Sequence, residues 1–281
     1  MDYKLIDSGD GRRLERFGNM LLDRPDPEVI WDKTLAEEKW SEADAKFIKE
    51  GSKGYWQTKK GFPEKWTVSH NNLKFILRLT PFKHTGVFPE QSWQWDLIAE
   101  VIKKSKRENI NLLSLFGYTG ISGLAALSEG ATVTLVDASR PAISWFKENQ
   151  EASGLNQKTA RVIIDDAIKF TAREIKRGKK YDIIVMDPPA YGHGPNGEPW
   201  DFSKDFPKLI DNVSKIVSDS PLLIIINFYA VSNSATSIIN LLKGKLPQGE
   251  IKSGELSLDE ESAGRKLTTG SYIVWTPNEI K

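Results

Sequence analysis

From about Asn111 to Asn227 the chain repeats one pattern, a short apolar run followed by a helix-length stretch with apolar residues on one side. Apolar runs of four to six residues alternating with amphipathic segments read as parallel strands joined by crossover helices. The strands predicted are Asn111 to Leu115, Thr132 to Val136, Arg161 to Ile164, Tyr181 to Met186 and Leu222 to Asn227. The crossovers predicted between them are Ile121 to Glu129, Arg140 to Ser153, Ala167 to Arg177 and Phe206 to Ser218. Such a succession folds as a Rossmann-like, doubly wound α/β sheet. Beyond it, a helix at Ala235 to Leu241 precedes two extended runs, Gly249 to Leu258 and Ser271 to Thr276, separated by the polar stretch Asp259 to Gly270. An antiparallel hairpin on the sheet edge suits these runs and brings the mostly parallel sheet to seven strands.

The first 80 residues do not follow that pattern. They are rich in Trp, Gly and charge, with short extended segments at Tyr3 to Ile6 and Lys74 to Leu79, and predict a small β-rich N-terminal domain over residues 1–80. The connector Thr80 to Gln91, marked by Pro81, Gly86 and Pro89, opens the second domain, 81–281, and leads into a helix from Ser92 to Ser105.

Charge adds little to this picture. There are 39 Lys and Arg against 38 Asp and Glu, split 15 to 14 before residue 80 and 24 to 24 after it, so neither half is a basic arm and any nucleic-acid site is local. The absence of cysteine excludes disulfides, thiolate metal sites and cysteine nucleophiles. His70, His84 and His193 are too scattered to suggest a metal. The start, Met1-Asp2-Tyr3-Lys4, has no apolar signal region, and the longest aliphatic run, Leu222 to Ile226, is too short to cross a bilayer. The expectation is a soluble cytoplasmic protein with no membrane partner and no metal.

Candidate chemistry sits at the ends of the predicted strands. Ser114-Leu-Phe-Gly-Tyr-Thr-Gly120 follows the first and opens a helix, so its small residues let backbone approach a ligand closely. The spacing Gly117, Gly120, Gly123 is not the dinucleotide fingerprint, which disfavours a nicotinamide or flavin. The second strand ends at Asp137, where a carboxylate can accept both ribose hydroxyls, although Asp137 or Ser139 can equally cap the following helix. The third runs into Asp165-Asp166-Ala167, a turn open to the same two readings, adenine contact or cap.

The fourth strand ends in Asp187-Pro188-Pro189-Ala190-Tyr191, with Gly192 to Trp200 after it. Two prolines stop the strand and hold the Asp187 side chain and the Pro188 carbonyl as acceptors at the sheet mouth. With Tyr191 offering a flat surface, these form a receptor for a planar heterocycle whose nitrogen is aimed at a methyl group. The alternative is a proline-rich turn whose tyrosine packs in the core.

Together, Phe116-Gly-Tyr-Thr-Gly120, Val136-Asp-Ala-Ser139, Asp166-Ala167 and Asp187-Pro-Pro-Ala-Tyr191 resemble the motifs of class I S-adenosylmethionine-dependent methyltransferases, in their order on successive strands. The resemblance is greatest to the bacterial large-subunit 23S ribosomal RNA methyltransferase group and covers roughly Thr80 to Thr276. It includes a segment like Lys83-His-Thr-Gly86-Val-Phe-Pro-Glu-Gln91, which in that group lies near the cofactor. The resemblance implies S-adenosyl-L-methionine as cofactor and an RNA, ribosomal in particular, as partner. By carry-over, Gly117, Tyr118, Thr119 and Gly120 surround the methionine part, Asp137 holds the ribose, Asp166 meets the adenine and Asp187 faces the methyl, with Phe116, Ala138, Ser139 and Ala167 also among the cofactor-binding residues. Catalysis falls to Asp187, Pro188 and Tyr191. Two positions depart from the family pattern: Ser114 replaces a frequent acidic residue, and Ala190 separates the prolines from the aromatic.

Methyl transfer from a sulfonium needs position and electrostatics, with no covalent enzyme intermediate. A pyrimidine C5 is nucleophilic only after a cysteine adds to C6, so without cysteine that route is closed, and a nitrogen of guanine or adenine, or an oxygen, stays open, with a base nitrogen preferred. Trp31, Trp40, Trp56 and Trp66 are either core residues or stacking surfaces for RNA bases. Lys176-Arg-Gly-Lys-Lys180 reads as a solvated helix end rather than a phosphate track. Three functions stay open: an RNA base methyltransferase, a small-molecule or protein methyltransferase, and a cofactor-binding module without catalysis, the last requiring a buried, capped Asp187.

Overall fold

The computed structural model describes residues 1–278 except Ser52. Two compact units emerge: Met1–Ser92 with Leu256–Thr269, and Trp93–Glu255 with the chain from Gly270 on. The boundary falls twelve residues later than the expected 80/81, and a second segment returns to the first unit. Of the expected second domain, residues 279–281 lie outside the described residues.

The first unit is β-rich. Strands β1 (Tyr3–Gly9), β2 (Arg12–Phe17), β3 (Met20–Pro25), β4 (Ala45–Glu50) and β5 (Lys53–Thr58) form a five-stranded sheet in chain order. A short helix α1 (Glu37–Ser41) precedes β4, and β6 (Trp66–His70) pairs with β7 (Leu73–Leu77) as a hairpin. Its interior holds paired charges. Glu15 accepts two bonds from Arg24, at 2.6 and 2.8 Å, and one from the Tyr3 hydroxyl at 2.8 Å. Burial alone raises the pKa of Glu15, but Arg13 and Arg24 overcome it and hold the group ionised. His84 is pushed down to about 4, first by burial and then by Arg24, Lys83 and Arg13, so it is neutral at pH 7.

In the second unit, α2 (Ser92–Ser105) leads into β8 (Asn111–Leu115), α3 (Ile121–Ser128), β9 (Thr132–Asp137), α4 (Arg140–Ala152), β10 (Ala160–Ile164), α5 (Ala167–Lys176) and β11 (Ile183–Met186). A small hairpin, β12 (Tyr191–His193) with β13 (Pro199–Asp201), precedes α6 (Phe202–Ile216), β14 (Leu223–Phe228), α7 (Ala235–Leu242), β15 (Glu250–Asp259) and β16 (Lys266–Thr276). The sheet order is β10-β9-β8-β11-β14-β16-β15, parallel from β10 to β14, with β16 antiparallel to β14. This is the doubly wound seven-stranded sheet with a terminal hairpin that the hydrophobic pattern predicts.

Alternate strand residues Leu113, Leu115, Ile184, Met186, Ile224 and Ile226 form one core with Phe170 of α5 and the inner face of α6. The intervening Leu112, Ile183, Val185, Leu223 and Ile225 are buried too, so the central strands are covered on both faces and run continuously apolar. At the amino ends of β8 and β11, Asp182 accepts from the Asn111 backbone at 2.9 Å and from Arg107 at 2.7 Å. That clamp sets the register Leu115↔Met186, and with it which loops leave the sheet side by side.

Several boundaries move. Helix α6 begins at Phe202, one turn before the expected Phe206, because Asp201 caps it and leaves Pro207 inside. An interior proline costs about 3 kcal/mol. Burying Phe202 and Phe206, whose rings stack at 4.5 Å, offsets this at about 2 kcal/mol each. Strand β16 begins at Lys266, five residues before the expected Ser271, with Leu267 buried beside Leu5, Val29 and Leu258. Tyr181 lies outside β11, in an isolated bridge to Val217.

Candidate active site

The order of strands reverses between β8 and β11, and the crevice outside their carboxyl ends is where open α/β sheets bind ligands. Four turns meet along that edge in sheet order: Asp165-Asp166 after β10, Asp137 ending β9, Phe116–Gly120 after β8 and Asp187–Tyr191 after β11. Backbone bonds join them. Asp165 N donates to Asp137 O at 3.2 Å, Gly117 N to Val136 O at 3.0 Å, and Asp187 N to Leu115 O at 3.4 Å. Neighbouring strands lie about 4.8 Å apart, so the three steps from the β10 turn to the β11 turn span roughly 14 Å.

The turn after β8 is tight. Phe116, Tyr118 and Gly120 have φ of 54°, 49° and 76°, the left-handed region that only glycine enters without strain. A Cβ on Gly120 would sit 2.1 Å from the Phe146 ring at a positive φ, so that position requires glycine, and a Cβ on Gly117 at 2.8 Å from Leu135 would force that side chain to move. Gly120 provides no side-chain cap to α3, which leaves the first N–H groups of that helix open to an anion such as a carboxylate. Phe116 packs on Trp200 at 4.9 Å between ring centres, and Tyr118 faces Trp145 at 6.1 Å. Thr119 is buried, and its carbonyl accepts from Asn149 at 3.2 Å.

Asp137 is partly buried, and each of its oxygens accepts one backbone N–H: Oδ2 from Tyr118 at 2.8 Å, Oδ1 from Ser139 at 2.7 Å. Each oxygen has a second lone pair with which to accept a further donor. Burial raises its pKa, and the two backbone donors counter part of the rise. Of the capping alternatives, Ser139 caps α4, accepting from Ala142 N at 3.3 Å; Ala138 lies between Ser139 and the carboxylate. Asp166 caps α5 through Oδ1, accepting from Lys169 N at 2.8 Å, with Ala167 buried as the first helical residue. Asp165 pairs with Arg173.

Asp187 is half-exposed and Pro188 is buried. Asp187 does not meet the condition of a buried, capped acid that a non-catalytic module requires. Tyr191 is 77% exposed, which overturns the core-packed alternative for that ring. It is Trp200, from the far strand of the β12–β13 hairpin, that is buried, donating to the Pro189 carbonyl at 2.7 Å. The hairpin escaped the sequence reading, though Asn196-Gly197 carries a turn signal: Gly197 has φ 86°, and Gly194 N donates to Glu198 O at 2.7 Å. His193 stands exposed beside Tyr191. Tyr229, just past β14, is also exposed at this edge, and burial followed by the negative charge of Asp187 raises its pKa.

Elsewhere, each indole N–H of the four N-terminal tryptophans is bonded within the first unit: Trp31 to Ser8, Trp40 to Asp7, Trp56 to Thr80 and Trp66 to Phe17. Trp40 is buried and the other three are half-buried, which favours packing over an RNA platform. Lys180 donates to the carbonyls of Lys215 and Val217, and Arg177 pairs with Glu174, so the run at 176–180 is a helix end. Among the described residues, no group of three or more His, Cys, Asp or Glu is placed to hold a metal. Among the same residues, no helix is long and apolar enough to cross a membrane.

Against known proteins, residues 97–195 match the family described as Conserved hypothetical protein 95. The solved structure of the SAM-dependent methyltransferase from Agrobacterium tumefaciens is 38% identical, covers 99% of this chain and 91% of its own, and superposes with a TM-score of 0.94. Ribosomal RNA large subunit methyltransferase K of Neisseria meningitidis is 26% identical over 160 residues, 56% of this chain and 44% of that protein. Ribosomal RNA large subunit methyltransferase K/L of Shewanella frigidimarina is 31% identical over 156 residues, 55% of this chain and 21% of that protein. The chain thus spans less than half the length of these curated relatives.

Proposed function

Since the chain belongs to the S-adenosylmethionine-dependent methyltransferases, we propose that it methylates a base nitrogen of RNA, ribosomal RNA in particular, at the carboxyl edge between β8 and β11. The observation that carries this reading is the convergence of four turns in sheet order, ending in a half-exposed acid beside an exposed aromatic ring. The donor set fits the cofactor. Asp166 and Ala167 would meet the adenine, the free lone pairs of Asp137 the ribose hydroxyls, and the turn Phe116–Gly120 with the uncapped start of α3 the methionine carboxylate.

When bound, S-adenosylmethionine supplies a methyl group activated on a sulfonium for in-line transfer. The chain's own part is position and charge. Asp187, with the Pro188 carbonyl, would accept the N–H bonds of the acceptor and so aim its lone pair at the methyl carbon. The prolines keep that carboxylate at the sheet mouth, and Tyr191 offers its face to a base taken out of its stack. Having no cysteine, the chain lacks the nucleophile that C5 methylation of a pyrimidine requires, which supports a nitrogen. The RNA substrate is supported by the names of the Neisseria and Shewanella relatives.

The test is incubation of an unmodified 23S rRNA transcript with labelled S-adenosylmethionine, followed by mass spectrometry of the nucleosides. A nitrogen-methylated base, lost in Asp187→Ala while cofactor binding persists, is the expected result. A C5-methylated pyrimidine, or near-normal turnover in Asp187→Ala, contradicts it.

A further inference from the structure

Tyr229 has no role in the reading of the site so far. Strand β14 runs parallel to β11 with Met186 opposite Ile226, so Asp187-Pro188 leave the sheet beside Asn227-Phe228, the last two residues of β14, and Tyr229 follows one step on. Phe228 is 4% exposed, whereas Tyr229 is 46% exposed. Among the described residues of the second unit, the large aromatic side chains left exposed are Trp93, Tyr191 and Tyr229. Trp93 lies edge-on against Tyr272 at 4.6 Å. The other two open rings stand at the carboxyl ends of neighbouring strands, on the turns that follow β11 and β14. A single exposed ring is ordinary, but these two fall at one ligand edge of the sheet.

Both turns are also held by the start of α6. Tyr191 pairs with Asp201, the cap of that helix, and Asn233, four residues past Tyr229, accepts from the Ser203 hydroxyl at 2.9 Å. Between them Ala230 takes φ 53°, a left-handed turn unusual for alanine and of the kind that collects at ligand sites.

We propose that Tyr229 is the second aromatic wall of the acceptor site, enclosing with Tyr191 a planar heterocycle presented to Asp187. The inference rests on the reading of Asp187–Tyr191 as the acceptor site, and it narrows the acceptor to a flat aromatic ring. An aliphatic ammonium would make only a cation–π contact there and leave most of each ring uncovered, whereas a nucleobase offers a π-face to both. The phenol of Tyr229 is held protonated by burial and by the negative charge of Asp187, so it acts through its ring and as a hydrogen-bond donor rather than as a base.

The test uses 2-aminopurine riboside, a planar purine whose fluorescence is quenched on stacking, titrated into the full chain saturated with S-adenosylhomocysteine. Saturable quenching is expected in the wild type, and Tyr229→Leu should weaken it about tenfold, the order of one lost stacking face. Tyr229→Phe and Tyr229→Trp should retain it. S-adenosylhomocysteine affinity and melting temperature report whether each variant is folded; should Tyr229→Leu fail there, Tyr229→Gln suits the half-exposed position and takes its place. Quenching that is unchanged in the variant, or absent in the wild type, overturns the proposal. If quenching follows this pattern while the 23S rRNA transcript is not methylated, the aromatic enclosure stands and the RNA reading falls.

Discussion

Gln94 and Asn227 exchange both amide hydrogen bonds, at 2.7 and 2.9 Å, with neither side chain open to solvent. The pair joins α2 to the end of β14, two residues before Tyr229. Cutting one side strands the other amide in the interior, at a cost of about 1–3 kcal/mol. Gln94→Leu and Asn227→Leu should each lower stability by that order, and the double variant by clearly less than the sum. Urea unfolding of the four proteins is the check; additivity would mean that the two amides do not depend on each other.

Gly120 and Gly130 offer a matched pair. Both have positive φ, 76° and 89°, but a Cβ on Gly120 meets the Phe146 ring at 2.1 Å, whereas on Gly130 it meets nothing within 4 Å. Gly130→Ala should cost about 1 kcal/mol from backbone strain alone. Gly120→Ala should cost several times as much and abolish cofactor binding, because the turn must shift. Thermal melts with and without S-adenosylmethionine separate the two cases.

Asp137 sets a pH dependence. Burial raises its pKa above the ordinary carboxylate value, with backbone donors opposing the rise. As pH falls through that raised value the carboxylate gains a proton and loses its charge-assisted acceptors, so cofactor affinity should begin to fall at a higher pH than an ordinary aspartate allows. Asp137→Asn should bind weakly with a flat profile over the same range. A wild-type profile that stays level into the ordinary aspartate range would contradict the assignment.

In the first unit, Arg265 lies between two buried acids. It donates to Glu260 at 2.5 and 2.7 Å and approaches Asp7 at 3.4 Å, while Ser262 bridges both acids. Burial raises the pKa of Glu260, but Arg265, with the Ser8 N–H and the Ser262 hydroxyl, holds it down to about 2. A depressed carboxylate stabilises the fold above its unfolded pKa and loses that contribution as pH falls toward 2. Arg265→Ala leaves the two acids uncompensated and should cost roughly 3–5 kcal/mol at pH 7. The deficit should shrink in acid as Glu260 takes up a proton, as urea midpoints across pH would show.

The sheet was legible because strands covered on both faces must be continuously apolar, and Leu222 to Asn227 or Asn111 to Leu115 admit few other readings. The turns were legible through glycine and proline, whose backbone constraints are local: Gly117, Gly120, Pro188 and Pro189 all lie where the chain leaves a strand. What depends on distant partners was not. Trp200 ends the run Gly192 to Trp200 with no sign of burial in the sequence, and only the fold brings it under Pro189 and against Phe116. Tyr229 carries no motif of its own; its place beside the acid follows from the pairing of β14 with β11. The start of β16 was missed because the polar residues before it, Glu260 and Arg265, bond to each other and to Ser8 and Thr34, partners far off in the sequence.

In the proposed site the cofactor lies along the carboxyl edge from Asp166 to Asp187, its ribose on Asp137. Calorimetric titration with S-adenosylmethionine at fixed salt, on wild type, Asp137→Ala and Gly130→Ala, tests it most directly. The expected result is a Kd on the order of micromolar for wild type and Gly130→Ala, and at least about tenfold weaker for Asp137→Ala, a loss of about 1.4 kcal/mol or more. Undiminished binding by a folded Asp137→Ala, or none by the wild type, would contradict the account.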